Sequence, residues 1–388
     1  MPHILYLLCL GNLVIGTGAF VINGILSSVS ASFGVSVGVA GQAMTVYALS
    51  TAVLAPIALV TTGHWPRRRC LLVAMLLFGL GNLVCALAPT LPGFFGGRVL
   101  MGVGAMFTPL AAGIAVALAP PALRGRALAL VFLGMSLSYV IGMPLGAWLG
   151  TLYGWRVPVF GVAGVCALAC GALAGMLPRD IAAPGASLAG AGKLLARPAV
   201  AWTLALTLFY FVAIFTVFSY IGPVLQALVP MSGAQISLTL MAFGISGVAG
   251  TLLGGWANDR FGTQRTLTVQ LGTLASSMLL VPLTQGHVAW MIGVFMVWGT
   301  AGFGMTTPQQ SRLAALAPQS APLLMSLNTS MLYLGTAIGA AVGGAVASFI
   351  GLAHLAWAGA PFAIAGLLTL WINARNLPAS AAPVASPG

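Results

Sequence analysis

Two residues in 388, Asp180 and Asp259, are acidic, and all charged types together make up 4% of the chain. A water-soluble surface takes roughly a quarter of its residues charged, so this chain has too few polar groups to coat a globule. With 60% of its residues hydrophobic and a mean hydropathy of +1.07, its outer surface must meet hydrocarbon instead. Twelve apolar stretches recur, near residues 4–28, 37–62, 70–89, 94–118, 126–151, 157–177, 200–223, 235–257, 265–284, 288–312, 322–347 and 353–373. Each has about the 20 residues that carry a helix across ~30 Å of hydrocarbon. A membrane barrel would alternate polar and apolar residues in runs of about 10, whereas these stretches are apolar all round. The fold class expected is therefore all-α, with twelve transmembrane helices. The first stretch has no basic leader and no small-residue cleavage site, so it reads as a retained span and not a secretion signal.

Basic residues set the orientation, because Lys and Arg next to spans stay on the cytoplasmic side. Arg67, Arg68 and Arg69 follow the second span, Arg124 and Arg126 the fourth, Arg179, Lys193 and Arg197 the sixth, and Arg260 and Arg265 the eighth. Arg312 and Arg375 end the tenth and twelfth, which places 12 of the 14 cations on one side. Both termini are expected in the cytoplasm. The formal charge of +12 is thus a topology feature, and no basic cluster has the interleaved aromatics of a nucleic-acid binder. Cys9, Cys70, Cys85, Cys166 and Cys170 are scattered through apolar spans. They read as packing residues, and no metal or cofactor is expected.

The chain also repeats itself. Residues 63–69 align with 259–265 at an offset of 196, Gly142 and Gly146 with Gly339 and Gly343 at 197, and Ala117–Pro120 with Ala315–Pro318 at 198. Parallel repeats of this kind occur in one class of secondary transporters. The division expected is a six-helix half at 1–177, a linker at 178–199, a second half at 200–375 and a short tail at 376–388.

These residues resemble the major facilitator superfamily, over essentially the whole chain. The sharpest match is the loop from Gly255 through Asp259, Arg260 and Gly262 to Arg265, with Arg67 and Arg69 in the corresponding first-half loop. The resemblance implies a latch between the halves on the cytoplasmic side; a basic turn that merely sets topology is the alternative. Arg98 and Gly102 in the fourth span are similar to a second motif, in which an Arg is followed by small residues. An Arg inside a span is costly unless it faces a partner or cavity. Arg98 either snorkels or, as expected here, faces inward in a functional role. Gly134, Gly142, Pro144 and Gly146 in the fifth span are similar to the motif of twelve-helix drug exporters, and small-residue packing accounts for them equally well.

Gly16–Val21, Ala40–Gly41 and Tyr47–Ala48 resemble the branch of arabinose-efflux-permease-like exporters. Many relatives carry Glu where Ala19 stands and Asp where Gly63 stands. The resemblance implies proton antiport, yet no span holds an internal Asp or Glu, and His3, His64, His287 and His354 fall at ends or loops.

The resemblance further implies a substrate cavity between the halves, lined by helices 1, 4, 7 and 10. Asn12, Asn23, Thr207, Tyr210 and Trp298 are the candidates to line it, and glue between packed helices is the alternative for the polar ones. With no acid available, a neutral or weakly anionic substrate is expected, with Arg98 free to meet an anionic group. The resemblance implies export of drugs, sugars or related small molecules across the inner membrane as the function, with a proton-independent uniporter or importer as the alternative and a non-transporting membrane sensor as a more distant one. A monomer is expected. Two aspartates supply no constellation for an enzyme.

Overall fold

The computed structural model describes residues 3–120, 123–178, 181 and 191–376. Arg179, Asp180, most of the linker and the tail from 377 lie outside the described residues. Among the described residues, twelve helices are long and apolar enough to span a bilayer. They are α1 Ile4–Gly24, α2 Val37–Thr61, α3 Arg67–Leu87, α4 Leu91–Leu118, α5 Arg124–Tyr153 and α6 Arg156–Met176 in the first half. The second half holds α7 Pro198–Phe218, α8 Gly233–Phe261, α9 Thr263–Thr284, α10 Val288–Leu316, α11 Leu323–Ile350 and α12 Leu352–Ala374. The described residues are 90% helical, with no strand among them. Short helices, Leu26–Phe33 and Ile221–Leu228, prolong α1 and α7.

Small residues decide which spans touch. A side chain on Gly134, Gly142, Gly146 or Gly150 of α5 would collide with Cys9, Thr17, Val21 or Ile25, which step along α1 by four or eight. Gly335, Gly339 and Gly343 of α11 sit in the same way against the carbonyls of Leu208, Val212 and Thr216 of α7. The sequence repeat is therefore a packing repeat, in which one helix pair in each half is zipped backbone to backbone. Within α5, Pro144 offers no N–H to the helix ladder, and the preceding turn, Ser138–Gly142, widens to a π-helix. Its backbone at Tyr139 and Val140 abuts Gly244 of α8.

With an even number of spans, the described chain starts and finishes at the same end of the molecule, called here the termini-bearing end. The contacts joining the halves run from mid-span to the opposite end. Gly38 of α2 meets the Gly344 carbonyl of α11, Gly24 meets Gly222, and Gly233 meets Thr151. Ser27 Oγ donates to Gln226 Oε1 at 3.0 Å. Tyr220 is fully buried there and donates to the Ala340 carbonyl at 2.8 Å. It also lies 3.4 Å from the Gly38 carbonyl and from Gln42 Nε2 of α2. The cleft between the halves is thus sealed at that end. At the termini-bearing end the loops carrying Arg124, Arg126, Asp259, Arg260 and Arg265 are exposed.

Candidate functional site

Each polar side chain inside a span must find a partner within the protein, because hydrocarbon supplies none. Arg98 is the extreme case. It is 1% exposed, and its Nε donates to the Ala43 carbonyl at 3.2 Å. Nη1 donates to Gly18 at 3.1 Å and Nη2 to Ala19 at 2.9 Å. The guanidinium also lies 4.9 Å from the Tyr47 ring. Arg98 therefore joins α4 to the backbones of α1 and α2, inside the first half, and its fork of donors is engaged by carbonyls. Its neighbour Gly102 packs against the α2 backbone at Tyr47 and Thr51.

The polar stripes are engaged in a similar way. Asn12 Nδ2 donates to the Val131 carbonyl at 3.0 Å, and Thr108 Oγ1 donates to Asn12 Oδ1 at 2.8 Å, tying α1, α4 and α5. Thr207 Oγ1 donates to Asn328 Oδ1 at 2.6 Å and accepts from Gln309 Nε2 at 2.8 Å, tying α7, α10 and α11. The two triads occupy corresponding places in the two halves. Asn23 is buried at the sealed end beside Gly222. Tyr210 is buried with its ring 4.7 Å from that of Phe211. Trp298 is 1% exposed and lies within the second half, 5.1 Å from Phe243 and 5.4 Å from Phe295.

What joins the two halves near mid-span is aromatic. Phe20 of α1 stacks on Tyr139 of α5 at 5.0 Å, and Tyr139 meets Phe303 of α10 edge-on at 4.9 Å. Phe20 also reaches Phe215 at 6.1 Å and Phe218 at 5.9 Å on α7. Beside them, Tyr47 of α2 meets Tyr333 of α11 at 6.4 Å. Met135, Tyr139, Phe211, Phe303 and Tyr333 are only partly buried although they lie near mid-span. Such rings bind planar or apolar compounds over large areas, and the phenols add hydrogen-bonding handles. Sequence reading missed this cluster, because an aromatic in a uniformly apolar span gives no sign of whether it faces lipid or cleft. The one available cue was position: Tyr139 falls inside the glycine and proline motif.

The loop motif stands apart from the cleft. Gly262 reverses the chain between α8 and α9 at φ 79°, a conformation in which glycine pays no steric penalty. Gly255 is loosely packed, with Thr307 as its near neighbour. Asp259, Arg260 and Arg265 are exposed, with no ion pair to Asp259 among the described residues. In the first-half loop Arg67 is buried, Arg68 bonds the Ala174 carbonyl, and Arg69 lies 4.4 Å over the Trp65 ring. No group of His, Cys, Asp and Glu suited to a metal occurs among the described residues.

Comparison with known proteins agrees with this architecture. The inner membrane transport protein YdhP of Escherichia coli (strain K12) is 32% identical over 374 residues, 96% of either chain. A probable sugar efflux transporter of Pasteurella multocida (strain Pm70) is 29% identical over 370 residues, covering 92% of this chain and 89% of that one. Among solved structures, a bacterial homolog of the human lysosomal transporter Spinster, in an inward-facing and occupied conformation, superposes with a TM-score of 0.81 at 17% identity, covering 97% of each chain. A D-xylose–proton symporter gives 0.75 at 18% identity, covering 95% of this chain and 96% of its own. With that family's sequence profile matched over residues 8–321 and again over 231–387, the chain belongs to the Major Facilitator Superfamily.

Proposed function

We propose that this transporter exports small, largely uncharged molecules, sugars or drug-like compounds, across the inner membrane by alternating access, as a monomer with both termini in the cytoplasm. The observation that carries the reading is the aromatic cluster of Phe20, Tyr139, Phe215, Phe218 and Phe303, which bridges the halves with no carboxylate, His, Lys or Arg among its ring partners. The names of YdhP and of the sugar efflux relative support membrane transport and export. The placement of basic residues supports the orientation, and with it a cleft open to the cytoplasm. A proton-independent uniporter is the second reading, favoured because the two carboxylates of the chain are Asp180 and Asp259, neither inside a span core. The test is accumulation of fluorescent compounds, antimicrobials and labelled sugars in an efflux-deficient host, with and without the chain and with the proton gradient collapsed. The proposal expects lowered accumulation of at least one neutral compound, lost in a Tyr139→Ala variant that still reaches the membrane. Unchanged accumulation across the panel refutes export, and loss of export on gradient collapse refutes the uniporter.

A further inference from the structure

By sequence position Arg312 ends a span and belongs with the water-facing cations. The structure instead leaves it 9% exposed, one turn beyond Gln309 on the same face of α10. Nη1 and Nη2 are both enclosed, and neither has a hydrogen-bond partner among the described residues. Arg98 and Arg156 contrast with it, since each spends its nitrogens on carbonyl or hydroxyl oxygens. The side chains around Gln309 show the complementary imbalance. Gln309 donates through Nε2 to the Thr203 carbonyl and to Thr207 Oγ1, while its Oε1 has no partner. Asn373 of α12 donates through Nδ2 to the Ala199 carbonyl and to Thr203 Oγ1, while its Oδ1 has none. Gln309 and Asn373 thus meet at Thr203. Two buried acceptors stand idle there, and two buried donors of a cation stand idle one helical turn away.

A guanidinium withdrawn from water needs hydrogen-bond acceptors or a counter-charge, since leaving it alone costs several kcal/mol; Arg98 has its carbonyls, and Arg312 has neither among the described residues. Asp259, the one carboxylate among the described residues, is exposed at the end of α8. We propose that Arg312, Gln309 and Asn373 form a binding subsite for a small hydroxylated anion, a carboxylate or phosphate. Its anionic oxygens take the Nη1 and Nη2 fork, the geometry that suits such groups best. Its hydroxyls donate to Gln309 Oε1 and Asn373 Oδ1. The subsite lies on α10 and α12, against Thr203 of α7, and toward the termini-bearing end from Phe303 of α10. Anionic lipid headgroups offer the same chemistry as a free hydroxy acid.

The test is calorimetric titration of the purified full chain with sodium gluconate and with sodium phosphate at constant ionic strength, with sorbitol as the uncharged control. Gluconate or phosphate binding is expected, with sorbitol at least about 10-fold weaker, and Arg312→Gln should weaken the anion about 10- to 100-fold. Arg312→Lys keeps the charge without the planar fork and should fall between the two, which also carries the test if Arg312→Gln does not fold. In a second arm, unfolding temperatures are compared in phosphatidylcholine nanodiscs with and without phosphatidylglycerol. Arg312-dependent stabilisation by phosphatidylglycerol, without gluconate or phosphate binding, assigns the same site to a headgroup. No response to gluconate, phosphate or phosphatidylglycerol, together with a lowered unfolding temperature in Arg312→Gln, overturns the proposal and places the partner of Arg312 within the chain. The binding readout stands whether or not the chain exports any compound of the transport panel.

Discussion

Replacing Arg98 by Lys separates a structural cation from one that meets substrate. The guanidinium reaches carbonyls on two helices from three nitrogens, at 3.2 Å to Ala43, 3.1 Å to Gly18 and 2.9 Å to Ala19. A lysine presents its charge on a single nitrogen, which cannot bridge α1 and α2 from the same stem, so at least two of these bonds are lost. Charge-assisted hydrogen bonds contribute about 1.5–3 kcal/mol each, and membrane settings fall at the low end because the unfolded chain also finds partners. The loss is then about 3 kcal/mol. At roughly 2 °C per kcal/mol for a large chain, the unfolding temperature should drop by about 6 °C. The assay is thermal unfolding in detergent, run beside transport at a temperature where both proteins remain folded. Transport near the wild-type level is expected once the folded fraction is matched. A variant as stable as wild type but unable to transport refutes the reasoning and returns Arg98 to the substrate.

Gly142→Val and Gly339→Val should each sharply reduce the yield of folded protein, because their side chains would meet Thr17 and the Val212 carbonyl across the two zipped helix pairs; size-exclusion profiles after extraction check this, and a monodisperse Gly339→Val would undo the packing symmetry. Tyr220→Phe removes a hydroxyl that holds Ala340 at 2.8 Å and reaches α2 at 3.4 Å; at about 1 kcal/mol the sealed end should open about 5-fold more often, read as faster alkylation of an Asn23→Cys reporter by an impermeant maleimide. Asp259→Asn should leave the unfolding temperature within about 1 °C, as exposed side chains without an ion pair contribute little; a large drop would reveal a partner for this carboxylate.

Hydropathy and segment length make the twelve spans legible, because the bilayer imposes one length on every span. The glycine steps of α5 and α11 are legible too: small residues at intervals of four mark close approach, and the structure shows what each approaches. Polar side chains were harder to place. Asn12 and Thr207 lie on tidy helical stripes whether they line a cavity or pin neighbouring helices, and the deciding partners, Val131, Thr108, Asn328 and Gln309, are more than 90 residues away in sequence. Arg98 and Arg312 look alike as basic residues near the ends of spans. One meets three carbonyls and the other none, a difference set by the backbones that happen to face them. The cleft aromatics were least legible, since lipid and cleft ask for the same residue types.

The far-end seal consists of the Ser27–Gln226 bond, the Tyr220 hydroxyl with its carbonyls and Gln42, and glycine backbones in contact, all of them neutral. Dissolved salt weakens attraction between exposed charges, and here there are none to weaken. The frequency with which this end opens should therefore be the same in dilute buffer and in brine, whichever side of the membrane it faces.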